Sequence, residues 1–353
     1  MSLKQLGVFF ALLLSALAGE PAAAQEPLRV GSLQAAPGEK VSGHLRVPQA
    51  DGGTTKIPVS IVNGTAPGPV LALVAGTHGT EYTPILALQQ LLPDLDPSAI
   101  RGAVIMVHMA NPIAFFTRRF ADGDPDDLNE QYPGDPEGTP SERIAWELGQ
   151  EVVQRATHLI DMHAGGGNQV LDSYAYLVVT GDSVLDAASR AMALAYGVDL
   201  IVIWTGMYAD EQRDRFFLDT YALSLGKPAF QPEHGGAMTT DPTYVQRHIA
   251  GVRSVMSHLG MIEGDVLVPG EPLFFASSEE LRAEHSGLWH PLVSVREIVE
   301  EGSLLGRLTD PFGNVLEEVR APYRGEVLSI SGPPPVNAGD AVVFIGRLPD
   351  NGQ

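Results

Sequence analysis

Strand-like and helix-like segments alternate along the middle of this chain. Continuous apolar runs, as in residues 70–75 and 103–109, are typical of buried sheet strands. Between such runs lie segments whose apolar residues recur every three to four positions, as in residues 141–156 and 243–260. This alternation predicts an α/β domain whose sheet is mixed but mostly parallel and is flanked by helices. Before it, short alternating stretches at residues 28–62 predict a few antiparallel strands.

Two stretches depart from the alternation. Residues 111–140 are rich in Asp, Pro and Gly and predict a long ordered loop, with Ser141 as the cap of the next helix. From Gly287 to Gly346, short β-prone pieces without a helical period predict a small all-β module. We therefore predict an α/β domain at residues 25–270 and a β-rich C-terminal domain at residues 280–348.

The composition limits the partners of the protein. A 44% apolar share over 353 residues is typical of a globular protein with a sizeable core. The net charge of −21 argues against binding to nucleic acid or to anionic membrane surfaces, which both require clustered Lys and Arg. The charge favours solubility instead, and the sequence leaves a homo-oligomer open.

The first 24 residues predict a cleaved export signal. Lys4 provides a charged start, residues 6–18 form an apolar run too short for a membrane span, and residues 22–24 are the small residues that a signal peptidase accepts. Cleavage after Ala24 predicts a periplasmic or secreted protein without a membrane anchor; an uncleaved anchor is the alternative. Because cysteine is absent, the chain has neither disulfides nor a lipidation site.

Three candidate metal ligands lie where apolar strands end. His78 and Glu81 follow the run at residues 70–75, and His163 follows the run at residues 158–162. Open α/β sheets bind ligands at the carboxyl ends of their strands. Two imidazoles and one carboxylate with an open fourth position form a catalytic zinc pattern, whereas structural zinc sites are usually rich in thiolates. Singly, each residue also has an ordinary interpretation as a helix cap, a helix-terminal charge or a core histidine.

Glu233 is a fourth candidate, in the stretch PEHGG. It follows an apolar stretch and precedes two glycines, which let a backbone approach a ligand closely. A carboxylate near a metal site can take a proton from water and pass it to a leaving amine, as amide hydrolysis requires. We favour Glu233 over His234 because no helical context explains its charge.

Five motifs carry a resemblance to a known family. In chain order they are GTHGTE, NPIAF, DLNEQYPG, DMHAGGG and PEHGG. Together they resemble the succinylglutamate desuccinylase/aspartoacylase family, a branch of the zinc carboxypeptidase clan, over residues 45 to 345. The resemblance implies a zinc carboxypeptidase-like fold and a deacylase with one Zn²⁺ ion that removes an acyl group from an amino acid or a related small amine. It implies three zinc ligands and one water-activating residue, in that order: His78, Glu81, His163 and Glu233.

The resemblance also implies roles for residues in the long loop. Either Arg118 or Arg119 would polarise the scissile carbonyl and stabilise its oxyanion. Asp127 matches a carboxylate that supports a metal-ligating histidine, and Asn129 matches a substrate-binding asparagine. The next family residue is an arginine that grips a substrate carboxylate, but this chain has Glu130 there.

Glu130 in place of the family arginine predicts a different substrate, because the Glu130 carboxylate would repel a substrate carboxylate. Either Glu130 faces a substrate amine, or it points to solvent while Arg213 or Arg215 binds the substrate carboxylate. The ordinary interpretation of these two arginines is a solvated, salt-bridged segment.

Three functions follow from these patterns. We expect an exported zinc amidohydrolase that cleaves small N-acyl amino acids or related amides. An exported zinc carboxypeptidase acting on short or cell-wall peptides is the alternative, although the missing arginine speaks against it. A catalytically silent binding protein is a third function, which the complete set of candidate residues disfavours.

Overall fold

The computed structural model describes residues 24–121, 127–205 and 215–349. The predicted signal segment lies outside these ranges except for its last residue, and so does Arg213. Among the described residues, no helix is both long enough and apolar enough to cross a membrane.

The first three quarters of the chain alternate between strands and helices. The strands are β1 Leu28–Val30, β2 Leu33–Ala35, β3 Lys40–Pro48, β4 Thr54–Asn63, β5 Ala66–Ala75, β6 Arg101–Val107, β7 His158–Met162, β8 Gln169–Leu171, β9 Ser173–Val178, β10 Leu200–Trp204, β11 Ala229–His234 and β12 Leu273–Phe275. The helices are α1 Tyr82–Asp94, α2 Pro112–Thr117, α3 Pro140–Leu148, α4 Ser183–Ala195, α5 Leu218–Ser224 and α6 Pro242–His258.

Nine of these strands form one sheet, in the order β12-β10-β9-β11-β7-β5-β6-β4-β3. Neighbouring strands of this sheet are parallel, except for the antiparallel pairs β3–β4, β4–β6 and β9–β11. One apolar core includes side chains of α1, α4 and α6, and another includes side chains of α3 and α5. The predicted mixed, mostly parallel sheet flanked by helices is confirmed.

The end of the chain is all β. Its strands are β13 Ser278–Arg282, β14 Gly287–Pro291, β15 Ile298–Val299, β16 Leu304–Thr309, β17 Val315–Arg320, β18 Gly325–Ser331, β19 Pro335–Val336 and β20 Ala341–Arg347. They form two antiparallel sheets, β13-β20-β18-β15 and β17-β16-β14-β19. β8 pairs with β18, so one of these sheets extends into the segment that follows β7. The C-terminal β structure is as predicted, while its division from the rest as a separate domain at residue 280 stays a prediction.

The long loop differs from its prediction in two respects. The helix α2 and a 3-10 turn, Leu128–Glu130, lie within residues 111–140. In addition, α3 is capped by Thr139 and not by Ser141. The Thr139 side chain accepts a hydrogen bond from the Glu142 amide, the Glu142 side chain accepts one from the Thr139 amide, and Pro140 occupies the first helical position. This reciprocal capping box places the start of the helix two residues earlier.

Candidate metal centre and active site

A tight loop between β5 and α1 presents the first two candidate ligands. His78 lies in this loop and Glu81 is the residue that precedes α1. Gly79 allows the loop to approach α2, because a Cβ atom at this position would lie 2.1 Å from the carbonyl carbon of Ala114. The Gly79 amide also donates a hydrogen bond to the Phe120 carbonyl oxygen. The loop is thereby fixed against the segment that follows α2.

His78, Glu81 and His163 converge in one buried cluster. Nδ1 of His78 lies 2.7 Å from Oε1 of Glu81, and Nδ1 of His163 lies 3.0 Å from Oε2 of the same carboxylate. Donor atoms from the three residues all lie within 4.8 Å of one another, and all three side chains are buried. Two imidazoles and a carboxylate suit a transition metal such as zinc. The donor set therefore fits a metal ion.

A carboxylate lies behind each of the two imidazoles. Both Asp127 oxygens lie 3.2 Å from Nε2 of His78, and Oδ1 of Asp161 lies 3.0 Å from Nε2 of His163. Each ring thus turns Nδ1 toward Glu81 and Nε2 toward an outer carboxylate, an arrangement that orients metal-binding histidines. Sequence reasoning pointed to Asp127 but missed Asp161, although its position two residues before His163 on a strand was a usable signal.

The charges of the cluster compensate one another. Burial alone would lower the pKa of His78, but the carboxylates of Glu81 and Asp127 outweigh it and raise that pKa to about 9. Burial would raise the pKa of Glu81, yet His78 and His163 lower it to about 2. A pKa of about 9 means that His78 carries a proton at neutral pH. Because a metal ion binds an unprotonated imidazole nitrogen, it would displace this proton.

Phe120 covers one side of the cluster. Its ring stacks on His78 with a centroid separation of 3.8 Å and an interplanar angle of 16°. The Phe120 side chain remains 44% exposed, so it lies between the imidazole and solvent. The sequence contained no signal that singled out this residue.

Glu233 lies beside the cluster, at the end of β11. Its backbone forms a bridge with His163, and its Oε1 atom accepts a hydrogen bond of 2.9 Å from Nε2 of Gln231. Burial, reinforced by the nearby Glu81 carboxylate, raises the pKa of Glu233 to about 7. A carboxyl group with this pKa can both accept and donate a proton near neutral pH.

The neighbouring His234 belongs to a different environment. Its Nδ1 atom lies 2.8 Å from the Ser173 hydroxyl oxygen, and its ring stacks on Tyr196. Burial lowers the pKa of His234 to about 3, so the imidazole is neutral. These contacts favour Glu233 as the chemically active member of the pair.

The two candidate arginines lie at the end of α2. Arg118 is the C-cap of this helix, with a left-handed φ of 56°, and the Arg119 amide bonds to the Ala114 carbonyl oxygen. Both side chains are exposed. Among residues 24–121, 127–205 and 215–349, neither guanidinium forms an ion pair. Both arginines precede Phe120 in the chain, and neither forms an ion pair with the Glu81 carboxylate of the cluster.

The candidate substrate residues flank Asp127. Asn129 is buried and its Oδ1 atom accepts a hydrogen bond from the Leu218 amide, whereas Glu130 is exposed. Arg215 forms an ion pair of 2.6 Å with Glu142 and a hydrogen bond with Gln131. Its guanidinium is thus occupied by protein partners, as the ordinary salt-bridged interpretation predicts.

Comparisons with known proteins agree with this fold. Residues 67–259, more than half of the chain, match the succinylglutamate desuccinylase/aspartoacylase catalytic domain. The chain is 29% identical over 317 residues to the N-alpha-acetyl-L-2,4-diaminobutyric acid deacetylase of Halomonas elongata, covering 87% of this chain and 91% of the relative.

Solved structures extend the likeness to nearly the whole chain. A succinylglutamate desuccinylase from Silicibacter sp. TM1040 superposes with a TM-score of 0.80 at 25% identity, covering 94% of this chain and all of the other. The product-bound ectoine utilization protein EutE (DoeB) from Ruegeria pomeroyi gives a TM-score of 0.80 at 25% identity, covering 93% of this chain and 99% of the other.

The fold and its relatives define a hydrolase that acts on amide C–N bonds. More specifically, the chain belongs to the succinylglutamate desuccinylase/aspartoacylase family.

Proposed function

We propose that the protein is a zinc-dependent deacylase that hydrolyses the amide bond of small N-acyl amino acids or related amides. The observation that carries this proposal is the buried convergence of His78, Glu81 and His163 beside Glu233. These three side chains are the proposed ligands of one Zn²⁺ ion. When bound, the ion would supply a Lewis acid at the reacting centre.

Glu233 is the proposed proton carrier. With its pKa near 7, its carboxylate can accept a proton from the attacking water and return it to the leaving nitrogen. In the overall reaction, the water oxygen bonds to the acyl carbon and the C–N bond breaks. The products are a carboxylate and a protonated amine, so that atoms and charges balance.

The exposed arginines are proposed to stabilise the developing negative charge on the carbonyl oxygen. Guanidinium groups placed where charge develops lower the barrier of acyl transfer. Arg118 and Arg119 directly precede Phe120, whose ring lies on His78. Their place in the chain supports this role for one of the two.

For the substrate, we propose a compound with a second, cationic amine that faces Glu130. Glu130 stands where the family has an arginine for a carboxylate, and Arg215 is engaged by Glu142 and offers no replacement. The Halomonas relative acts on a diamino acid acetylated at one nitrogen, which supports a substrate of this class. Asn129, adjacent to Glu130, is the second proposed substrate-binding residue.

A panel of amides tests the activity. Acetyl, succinyl and aminoacyl derivatives of neutral, acidic and basic amino acids are incubated with zinc-loaded protein, and the release of free amine is measured. We expect turnover of acyl amino acids that carry a second amine, loss of turnover after chelation, and loss in Glu233→Gln. Chelator-insensitive turnover would contradict zinc dependence, and equal turnover by Glu233→Gln would remove that residue from its role.

Glu130→Arg tests the substrate assignment separately. This variant restores the family residue, so its preference should shift from basic toward acidic acyl amino acids. Arg29→Glu, a charge reversal on the N-terminal strand β1, serves as a control and should leave the preference unchanged. An unaltered preference in Glu130→Arg would show that this position does not face the substrate.

We also propose that the protein is exported, on the basis of its first 24 residues. A charged start, a short apolar run and small residues before the cleavage position support this location. Cell fractionation followed by N-terminal sequencing tests it: mature protein should begin at Gln25 outside the cytoplasm. A cytoplasmic protein that retains Met1 would contradict the proposal without affecting the proposed activity.

A further inference from the structure

The carboxylate of Glu233 is held by a neighbouring amide. Gln231 and Glu233 are both buried, and residues two apart on a strand point to the same face. Nε2 of Gln231 donates the 2.9 Å hydrogen bond to Oε1 of Glu233. The assignment of the amide follows from chemistry, because a carboxylate oxygen can only accept from the NH₂ group.

The second oxygen of Glu233 has a different environment. Oε2 is buried and has no hydrogen-bond partner within the described part of the chain. A buried acceptor without a partner costs free energy unless another molecule, such as water or a substrate, satisfies it. One oxygen of the carboxylate is therefore anchored, and the other is left for proton exchange.

Two tyrosines enclose this pair from the adjacent strand. In the antiparallel ladder between β11 and β9, Gln231 lies opposite Tyr176 and Glu233 lies opposite Tyr174. The two phenol oxygens are 3.3 Å apart, and Tyr174 also packs against Phe344 of the C-terminal sheet. The two tyrosines shield the Gln231–Glu233 hydrogen bond from bulk water. A hydrogen bond is stronger in an environment of low dielectric constant.

We propose that Gln231 is a positioning residue that fixes the orientation of the Glu233 carboxylate. The terminal torsion of a glutamate is broad, so without the amide the plane of the carboxylate would turn over a wide range of angles. With the amide, Oε1 stays bound and Oε2 keeps one direction. Gln231 itself does not touch the reacting atoms. The inference rests on the proposed function, in which Glu233 carries the proton.

The test replaces the amide by an apolar group of similar length. In Gln231→Met we expect kcat to fall about tenfold or more, because small misplacements of a catalytic group are costly. KM should stay within about twofold and the zinc content should not change, since the side-chain amide of Gln231 donates to Glu233 and not to a proposed metal ligand. If the methionine variant does not fold, Gln231→Leu serves the same purpose.

A double variant separates positioning from a general structural role. If Gln231 acts through Glu233, then Gln231→Met should cause no further loss of kcat in the Glu233→Gln background, whereas a structural role would make the two losses additive. Gln49→Met is the matched control. It removes an amide that donates to the Thr55 hydroxyl, and it should retain the wild-type kcat.

Two results would overturn the inference. One is a wild-type kcat in a folded Gln231→Met protein, and the other is an equal fold-loss in both backgrounds. If the wild-type protein itself cleaves no amide, the proposed function fails instead. The hydrogen bond can then be tested without turnover from the NMR resonance of the Gln231 side-chain amide, which should shift in Glu233→Gln; an unchanged resonance would refute the contact.

Discussion

The Oδ1 atom of Asp161 lies 3.0 Å from Nε2 of His163, and the Asp161 side chain is completely buried. A buried carboxylate is costly unless it is paired, so its position behind an imidazole is informative. Nε2 of the imidazole thus faces Asp161, and Nδ1 lies 3.0 Å from Oε2 of Glu81.

From this relationship we expect Asp161→Asn to weaken metal binding. Partners behind a metal-binding histidine typically contribute about 10- to 100-fold in affinity, and an amide cannot replace the negative charge. Competition with a chromogenic chelator measures the zinc affinity. Asp182→Asn, which alters a carboxylate at the start of α4, should bind zinc like the wild type. Unchanged affinity in Asp161→Asn would show that Asp161 does not support His163.

Metal uptake should depend on pH. The pKa of His78 is raised to about 9, so below that pH a proton competes with the metal, whereas the carboxylate of Glu81, with a pKa of about 2, stays ionised. We therefore expect zinc affinity to increase as the pH rises from 6 toward 9, with release of protons on binding. A pH indicator in weakly buffered solution measures the release. Affinity independent of pH over this range would contradict the assignment of His78 as a ligand.

The activity should have an acidic limb set by Glu233. Burial, with a further contribution from Glu81, raises the pKa of Glu233 to about 7, and only the deprotonated carboxylate can accept a proton from water. kcat/KM should therefore rise with pH and level off above about 7. A bound cation would stabilise the carboxylate and move the midpoint lower, but not higher. A profile that falls between pH 5 and 7 would be inconsistent with Glu233 as the base.

Gly79→Ala should destabilise the loop that carries His78. The added Cβ atom would lie 2.1 Å from backbone atoms of α2, and such overpacking typically costs about 1–3 kcal/mol. Thermal denaturation should show a lower melting temperature, together with weaker zinc binding. Gly270→Ala is the matched control, because nothing lies within 4 Å of its added Cβ atom. Equal melting temperatures for the two variants would contradict the steric argument.

The candidate ligands could be predicted because strand ends are recognisable. His78 and His163 each follow a continuous apolar run, and parallel strands bring their carboxyl ends to the same edge. β5 and β7 are indeed parallel neighbours. This relationship placed His163 beside His78 and Glu81, although at least 82 positions separate it from them along the chain.

Other features depended on packing that no local pattern specifies. β9 lies between β10 and β11, parallel to β10 and antiparallel to β11. This position puts Tyr174 opposite Glu233, and strand order is decided by tertiary contacts. The ring of Phe120 covers His78 only because the chain turns back after α2. The Thr139 cap, in contrast, could have been predicted in place of Ser141. A Thr-Pro pair followed by Glu142 is a helix-start pattern.

The backbone ladder between β8 and β18 has a practical consequence for anyone who engineers this protein. Because β8 begins six residues after His163, a truncation at the start of the C-terminal sheets would strip hydrogen-bonding partners from a segment close to the reactive centre. The bare edge thus created would invite association with other chains. Minimal catalytic fragments should therefore be designed to keep the C-terminal sheets, and fusion partners should be attached away from the β8–β18 strand pair.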